Sequence, residues 1–268
     1  MITSMANSKV KRLAALAQKA KARREEQCFV VEGIRMFREA PADWLREVYV
    51  SETFLHKYGR EALGHVSFEI LTDAVFQKAS DTQTPQGILC VLSMPRYELA
   101  AHLAIQCTDT AKAPLYMLLE DLQDPGNVGT ILRAGEGAGV DGVILTRQTA
   151  DLFNPKVIRA TMGSIYRVPF FVVDSLTDSI DLLREKGVAV YAAHLDDSVD
   201  YDVPDYTQPT AFLIGNEGNG LRRETAQRAA QYIKIPMAGQ VESLNAAMAS
   251  AVLMYEAARQ RRKNEYTN

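Results

Sequence analysis

Apolar positions along the chain fall into two series in which strand-like and helix-like spacings alternate. Val10, Leu13, Leu16 and Ala17 recur at helical spacing, and Asn7 or Ser8 can cap the helix they predict. The charged run KARREEQ follows, then a short strand over residues 28–31 and a helix over 33–40. Residues 47–50 read as a strand, 53–58 as a helix and 67–71 as a strand. Residues 73–79 read as a helix that Thr72 can cap, and GILCVL at 87–92 as a buried strand. Residues 96–113 are less patterned, include a polar Thr-Asp-Thr, and read as a linker in which residues 99–105 can be helical.

Alternation resumes at residue 115. LYMLL at 115–119 is long enough for a buried strand, and Asp124, Pro125, Gly126 and Asn127 break it as a loop does. Asn127 is placed to cap a helix beginning at Val128, on which Gly129 and Arg133 share a face. Strands follow at 142–145, 188–192, 211–214 and 232–235. Helices follow from Asn154-Pro155, over 175–186, over 222–230 and over 242–262. Such alternation predicts an α/β protein: a parallel sheet flanked by helices, preceded by a smaller α/β domain. The expected division is 1–95, a linker at 96–113, and 114–268.

Composition narrows the class. The chain has 268 residues, 47% of them hydrophobic, enough to bury a sizeable core. Its first residues lack the apolar core of a secretory signal, and no apolar run is long enough to span a bilayer. Cys28, Cys90 and Cys107 are odd in number and widely spaced, which fits reduced thiols in a cytoplasmic protein. The net charge of −3 is unevenly spread. Residues 1–26 hold seven Lys/Arg against two Glu, and residues 256–268 hold four against two. Basic ends on an acidic body fit contact with a polyanion, although a pair of solvated helices reads equally well.

Three loops share one character, each following a buried strand and each rich in Gly or Pro. They are DPGNVGTILR at 124–133, GNEGNGL at 215–221 and IPMAGQVESLNAA at 235–247. Loops at the carboxyl ends of parallel strands are where such sheets bind ligands. The glycines do not spell the GxGxxG of a dinucleotide site, which disfavours a nucleotide-dependent oxidoreductase. Ser243 and Asn245 open the final helix, where each can cap it or face a ligand. No His/Cys cluster has metal-ligand spacing, so no metal is expected.

Together the three loops resemble the signature motifs of the SpoU/TrmH family of RNA ribose 2′-O-methyltransferases, within the SPOUT class. Asn127, Gly129 and Arg133 match the first motif. Gly215, Glu217, Gly218 and Gly220 match the second, with Asn216 where a small residue is commoner. Ile235-Pro236-Met237 and Ser243-Leu244-Asn245 match the third, and DLFNPKVIRATMG at 151–163 resembles the family's middle stretch. In the first half, NSKVKRL, FVVEGIRMFREA and DTQTPQGI are similar to the small RNA-binding, ribosomal-protein-like domain that precedes many members.

The resemblance implies a SPOUT sheet closed by a carboxyl-terminal trefoil knot. It also implies bound S-adenosylmethionine and a homodimer whose active site uses both chains. Its implied site residues are Asn127, Arg133, Glu217, Ser243 and Asn245 for catalysis, and Gly215, Gly220, Ile235, Met237 and Leu244 for the cofactor. Lys9, Lys11, Arg12, Arg23 and Arg24 are the candidates for RNA contact. A guanidinium is effectively always protonated, so Arg133 is expected to stabilise a developing oxyanion rather than act as a base, with Glu217 pairing to it. Ribosomal RNA is the first expected substrate and transfer RNA the second. A base-methylating SPOUT enzyme and a non-catalytic RNA-binding protein on this fold are the remaining alternatives. Deleting residues 1–95 is expected to leave cofactor binding nearly intact and to weaken RNA binding.

Overall fold

The computed structural model describes residues 1–107 and 113–265, so the polar stretch at 108–110 of the expected linker lies outside it. In chain order the elements begin with α1 Ser8–Gln18, α2 Ala20–Glu26, β1 Cys28–Glu32, α3 Ile34–Glu39 and β2 Leu45–Ser51. They continue with α4 Glu52–Tyr58, β3 Glu69–Leu71, α5 Asp73–Ala79, β4 Ile88–Ser93, α6 Leu99–Gln106 and β5 Leu115–Leu119. Next come α7 Pro125–Ala138, β6 Gly142–Thr146, α8 Pro155–Thr161, β7 Phe170–Val173, α9 Leu176–Glu185 and β8 Ala189–Ala193. The last are β9 Val199–Asp200, β10 Thr210–Ile214, α10 Arg223–Ala226, β11 Gln231–Lys234 and α11 Ala246–Glu265. They form two compact units. One comprises Met1–Arg96 with Asp151–Tyr166, and the other Tyr97–Ala150 with Arg167–Asn268.

The first unit is a four-stranded sheet in the order β1-β4-β2-β3, antiparallel except for the β2–β3 pair. On one face Val10, Leu13 and Leu16 of α1 and Val75, Phe76 and Ala79 of α5 pack with Cys28, Val30, Tyr49, Leu89 and Val91. Successive strand residues point to opposite faces, so Phe29 and Val31 need a second cover. The segment 151–166 helps supply it. Phe153 packs against Phe29 in a tilted pair with ring centroids 4.7 Å apart, and the Tyr166 hydroxyl donates to the Met36 carbonyl at 3.1 Å. Val157, Ile158 and Ile165 of the same segment are buried. The sequence reading keeps this stretch with the second half, whereas it packs with the first unit. Burial pushes the Cys90 thiol up to about 12 and raises that of Cys28, which leaves both as apolar packing groups.

Asp151 is also the partner of Arg23, which is only 2% exposed. The Arg23 guanidinium donates to the carbonyls of Leu16 and Ala17 at 2.7 and 3.1 Å, and twice to Asp151 Oδ2 at 3.0 and 2.6 Å. Its assignment to RNA contact is therefore corrected: the side chain is buried and spends four of its five donors on internal acceptors, so it is not presented to phosphate. Arg12 is similarly engaged by Glu26 at 2.6 Å and Glu47 at 2.8 Å, and Lys9 by Glu69. Lys11 and Arg24 are exposed. The charged run after α1 forms the short helix α2, which the sequence reading leaves unassigned.

The second unit is a seven-stranded sheet, parallel throughout, in the order β7-β6-β5-β10-β8-β11-β9. β5, β6 and β10 are buried at every position, because helices cover both faces of the sheet. Leu103 of α6 and Leu176, Ile180 and Leu183 of α9 pack with Tyr116, Leu118, Ile144, Ala211 and Leu213. α7 and α11 pack together elsewhere in the unit, with the Met254 sulfur 3.6 Å from where a Gly135 Cβ would stand. From β5 the chain runs outward through β6 and β7. It then crosses to β8, and β10 enters between β5 and β8. The resulting switch point opens a crevice at the carboxyl ends of the central strands. The short strands β7 and β9, at the two sheet edges, are additional to those read from sequence.

Candidate active site

Three loops leave the carboxyl ends of β5, β10 and β11, and side-chain hydrogen bonds join them. α7 begins at Pro125 with Asp124 as its cap, the Asp124 carboxylate accepting from Gly126 N at 2.6 Å. This corrects the expected cap at Asn127 and explains what Asn127 does instead. Buried in the first turn, its amide is free to bridge. Asn127 Nδ2 donates to Glu217 at 2.9 Å, and Asn127 Oδ1 accepts from Asn245 Nδ2 at 2.9 Å. One residue from each motif thus stands in a single line, Glu217–Asn127–Asn245.

Each end of that line is anchored. The Glu217 carboxylate also accepts from the backbone N–H groups of Gln123 at 3.0 Å and Asp124 at 3.2 Å. Burial draws its pKa upward, but the N–H groups of Gln123, Asn127 and Asp124 outweigh burial and leave it below the ordinary carboxylate range. Glu217 forms no ion pair with Arg133 among the described residues, which corrects that expected pairing. Asn245 Oδ1 accepts from Ala247 N at 2.9 Å and Met248 N at 3.3 Å, so it caps α11 while its Nδ2 faces Asn127. α11 begins at Ala246, so Ser243 and Leu244 lie in the loop before it rather than in the helix.

The second loop folds back on itself. A Cβ on Gly215 would lie 2.3 Å from the Gly220 carbonyl carbon, so only glycine fits there. Asn216 Oδ1 accepts from Gly218 N and Asn219 N at 2.9 and 3.0 Å, and its Nδ2 donates to the Asp121 carbonyl at 2.7 Å. The larger residue at this position therefore ties the second loop to the first. Glu120, 1% exposed, accepts from Arg222 N at 2.7 Å and Thr225 Oγ1 at 2.5 Å. Asp121 bonds Thr146 and Arg222. The sequence reading misses Glu120 and Asp121. Their signal is two carboxylates directly after an all-apolar strand in a parallel sheet.

Beside the line lies a cavity of about 480 Å³. Gly215, Glu217, Gly220, Ile235, Met237, Ser243, Leu244 and Asn245 line it, together with His194, Asp196, Lys234 and Glu242, which the sequence reading does not name. Every expected cofactor residue is among these. Apolar Leu221, Ile235, Leu244 and Leu253 stand near charged Asp196, Lys234 and Glu242, a donor set that fits an aromatic heterocycle and a zwitterionic tail. Arg133 is absent from that lining and lies on the exposed side of α7.

Exchanging Glu217 for Gln removes the charge and puts an NH₂, which cannot accept, in place of one of the two oxygens that receive the three N–H donors. At least one donor is then left unsatisfied, at a cost of about 1–3 kcal/mol. Cofactor affinity measured by calorimetry is expected to fall at least tenfold, and an unchanged affinity would contradict the bridge. Since the folded pKa is depressed, the wild-type bridge holds above the ordinary carboxylate range. It is lost only as pH falls through the lowered value.

Comparison with known proteins agrees with this geometry. The SpoU rRNA Methylase family model matches residues 114–255, and the MRM3-like substrate binding domain model matches residues 7–90. The 23S rRNA (guanosine(2553)-2′-O)-methyltransferase RlmP of Bacillus subtilis is 33% identical over 95% of this chain and 97% of its own. An S-adenosylmethionine-bound rRNA methyltransferase from Sinorhizobium meliloti superposes with a TM-score of 0.83 at 32% identity, covering 96% of this chain and 97% of that one. The SpoU methyltransferase AviRb of Streptomyces viridochromogenes superposes with a TM-score of 0.84 at 28% identity, covering 96% and 99%. With three motifs joined at one cavity and a match over most of its length, the chain belongs to the SpoU family of S-adenosylmethionine-dependent RNA 2′-O-methyltransferases.

Proposed function

We propose that this protein transfers a methyl group from S-adenosylmethionine to a ribose 2′-hydroxyl of structured RNA, and that the RNA is ribosomal. The line Glu217–Asn127–Asn245 beside the cavity carries the reading, because it fixes three loops around one binding volume. Ribosomal RNA is favoured by the Bacillus relative, whose name specifies it and whose match runs through both halves of the chain. Other relatives are named tRNA/rRNA methyltransferases, which keeps transfer RNA as the second reading.

The backbone of Gly215, Ile235 and Leu244 would hold S-adenosylmethionine, which would supply an electrophilic methyl group on a sulfonium. The protein's part is to bring the ribose into line, exclude water and favour charge as the hydroxyl proton leaves. Arg133 stabilises the developing oxyanion and orients the adjacent phosphate through its planar fork. Asn127 and Asn245 hold each other and the loop ends, while Ser243 completes the wall. The first unit supplies RNA contact, with Lys11 and Arg24 among its exposed cations on α1 and α2. The family's trefoil knot, formed by the carboxyl-terminal segment, would hold the third loop in place.

Arg133 lies outside its own chain's cavity, about 9 Å along α7 from Asn127 at 1.5 Å per residue. That placement supports a homodimer in which each Arg133 serves the partner's cofactor. Sedimentation is expected to give about twice the 29.7 kDa chain mass. Mixing Arg133→Ala with Asn245→Ala chains, each inactive alone, is expected to restore part of the activity. A monomer with full activity would contradict the shared site. Substrate identity is tested by mapping 2′-O-methyl sites in RNA from a strain lacking the gene. Loss of one ribosomal site supports the proposal, whereas loss confined to transfer RNA selects the second reading.

A further inference from the structure

The two sequence motifs of the first unit that the methyl-transfer site does not use, around Glu32-Gly33 and at 81–88, converge on a second cavity. It measures about 590 Å³, within the usual range for small-molecule sites. We infer that this cavity takes one unpaired nucleobase of the substrate RNA, stacked on Tyr58 and read by the side-chain amide of Gln86. The inference rests on the RNA-substrate reading and adds the mode of recognition.

Phe54 and Phe76 are buried and contribute to the apolar lining. Tyr58 is 39% exposed, packs at 4.9 Å against Phe54, and has the Lys57 ammonium 5.0 Å from its ring centroid. The ammonium lies over the ring, where an incoming base would take its place on the aromatic face and leave the cation to the phosphate that follows. Pro85, Gln86 and Gly87 also line the cavity, and hydrogen bonds to Glu32 hold their loop. Glu32 accepts from Ser80 Oγ at 2.6 Å, Thr82 Oγ1 at 3.1 Å and Gln86 N at 2.8 Å.

Gly33 adopts φ +108°, and a Cβ there would stand 2.8 Å from Gln86 Oε1, so this glycine makes room for the Gln86 amide. That amide has no hydrogen-bond partner among the described residues. It offers a donor and an acceptor side by side, the pairing pattern of a base edge. Gln77 Nε2 is engaged by the Thr82 carbonyl at 3.1 Å, which leaves its oxygen as a further acceptor. The Asp73 carboxylate is satisfied by Thr53 N at 3.2 Å and Thr53 Oγ1 at 2.7 Å, so the cavity does not present an open cation site. Paired bases are stacked inside a duplex and cannot enter such a cavity, so the fitting ligand is a single-stranded or bulged residue.

The test uses the full-length protein and a short fluorescein-labelled single-stranded RNA of mixed sequence, with its complementary duplex as control. Tyr58→Ala and Gln86→Ala are each expected to weaken single-strand binding about tenfold, while Tyr58→Phe retains it. Duplex binding and S-adenosylmethionine affinity should stay at wild-type values, which also reports that the variants are folded. With 5-iodouridine in the strand, photocross-links should map to the peptide containing Tyr58. Wild-type single-strand affinity in both alanine variants, or cross-links confined to the second unit, would overturn the nucleobase site and leave the methyl-transfer reading standing. Failure of the wild-type protein to bind the single strand would also overturn the nucleobase site, whereas the methyl-transfer reading falls only if no 2′-O-methyl site is lost in the strain lacking the gene.

Discussion

Arg133→Ala will lower methyl transfer by about 10²–10³-fold, the usual cost of removing one oxyanion donor, and leave S-adenosylmethionine affinity within a few-fold. α7 turns Asn127, Val128, Ile131 and Leu132 inward and leaves Arg133 exposed. Among the described residues it makes no hydrogen bond or ion pair, so its five donors are available to substrate. It also lies outside the cavity that the cofactor is proposed to fill, which is why binding and transfer should separate. Arg133→Lys is expected to fail nearly as badly, because an ammonium is a point charge and cannot hold a phosphate and an oxyanion in one plane. Single-turnover assays with calorimetry on the same preparations measure both quantities. Near-normal turnover by either variant would remove Arg133 from the chemistry.

The second large effect concerns the fragment lacking residues 1–95. The expectation from sequence, that cofactor binding survives this deletion nearly intact, changes once residues 151–166 are seen to pack with the first unit. Deletion takes Phe29 from Phe153, the Met36 carbonyl from Tyr166, and the cover from Val157, Ile158 and Ile165. Each such side chain stabilises by about 1.5–3 kcal/mol when buried, so the exposed set rivals the whole stability of a domain. The fragment is expected to self-associate and to bind cofactor poorly. Replacing Phe153, Val157, Ile158 and Ile165 by polar residues in the fragment should restore a monodisperse species that binds it. A wild-type-sequence fragment that stays monodisperse and binds normally would contradict this. In the full chain, Asp151→Ala strands the buried Arg23 charge. With Asp151 itself partly exposed, about 2–3 kcal/mol of unfolding free energy should be lost in urea titrations.

The parallel sheet and the first two site segments were legible because each follows an all-apolar strand, β5 or β10, whereas β11 before the third loop buries only Ile233 and Pro125–Asn127 open α7 rather than a loop. What joins the loops was not legible. Pro125 at the first helical position moves the cap of α7 to Asp124, and only this offset frees the Asn127 amide to reach both Glu217 and Asn245. Hydrogen-bond partners about a hundred residues apart leave no trace in local periodicity. Arg23 failed as an RNA candidate for a related reason. Its neighbours in sequence are solvated cations, while its partner, Asp151, lies in a distant segment. The helix in that segment was readable from Asn154-Pro155, and Asn154 does cap it, accepting from Lys156 N at 2.9 Å. Which unit it covers was not readable, because an apolar face names no partner.

On this mechanism methyl is delivered to a ribose oxygen. That delivery is tested by presenting the full-length protein with S-adenosylmethionine and two forms of its RNA substrate, one all-ribose and one with a single 2′-deoxy residue at the target. Both are digested to nucleosides for mass spectrometry. One 2′-O-methyl nucleoside is expected from the first RNA, and from the second unimpaired binding with no methyl incorporated. Methyl on a base of the deoxy-substituted RNA would contradict this mechanism.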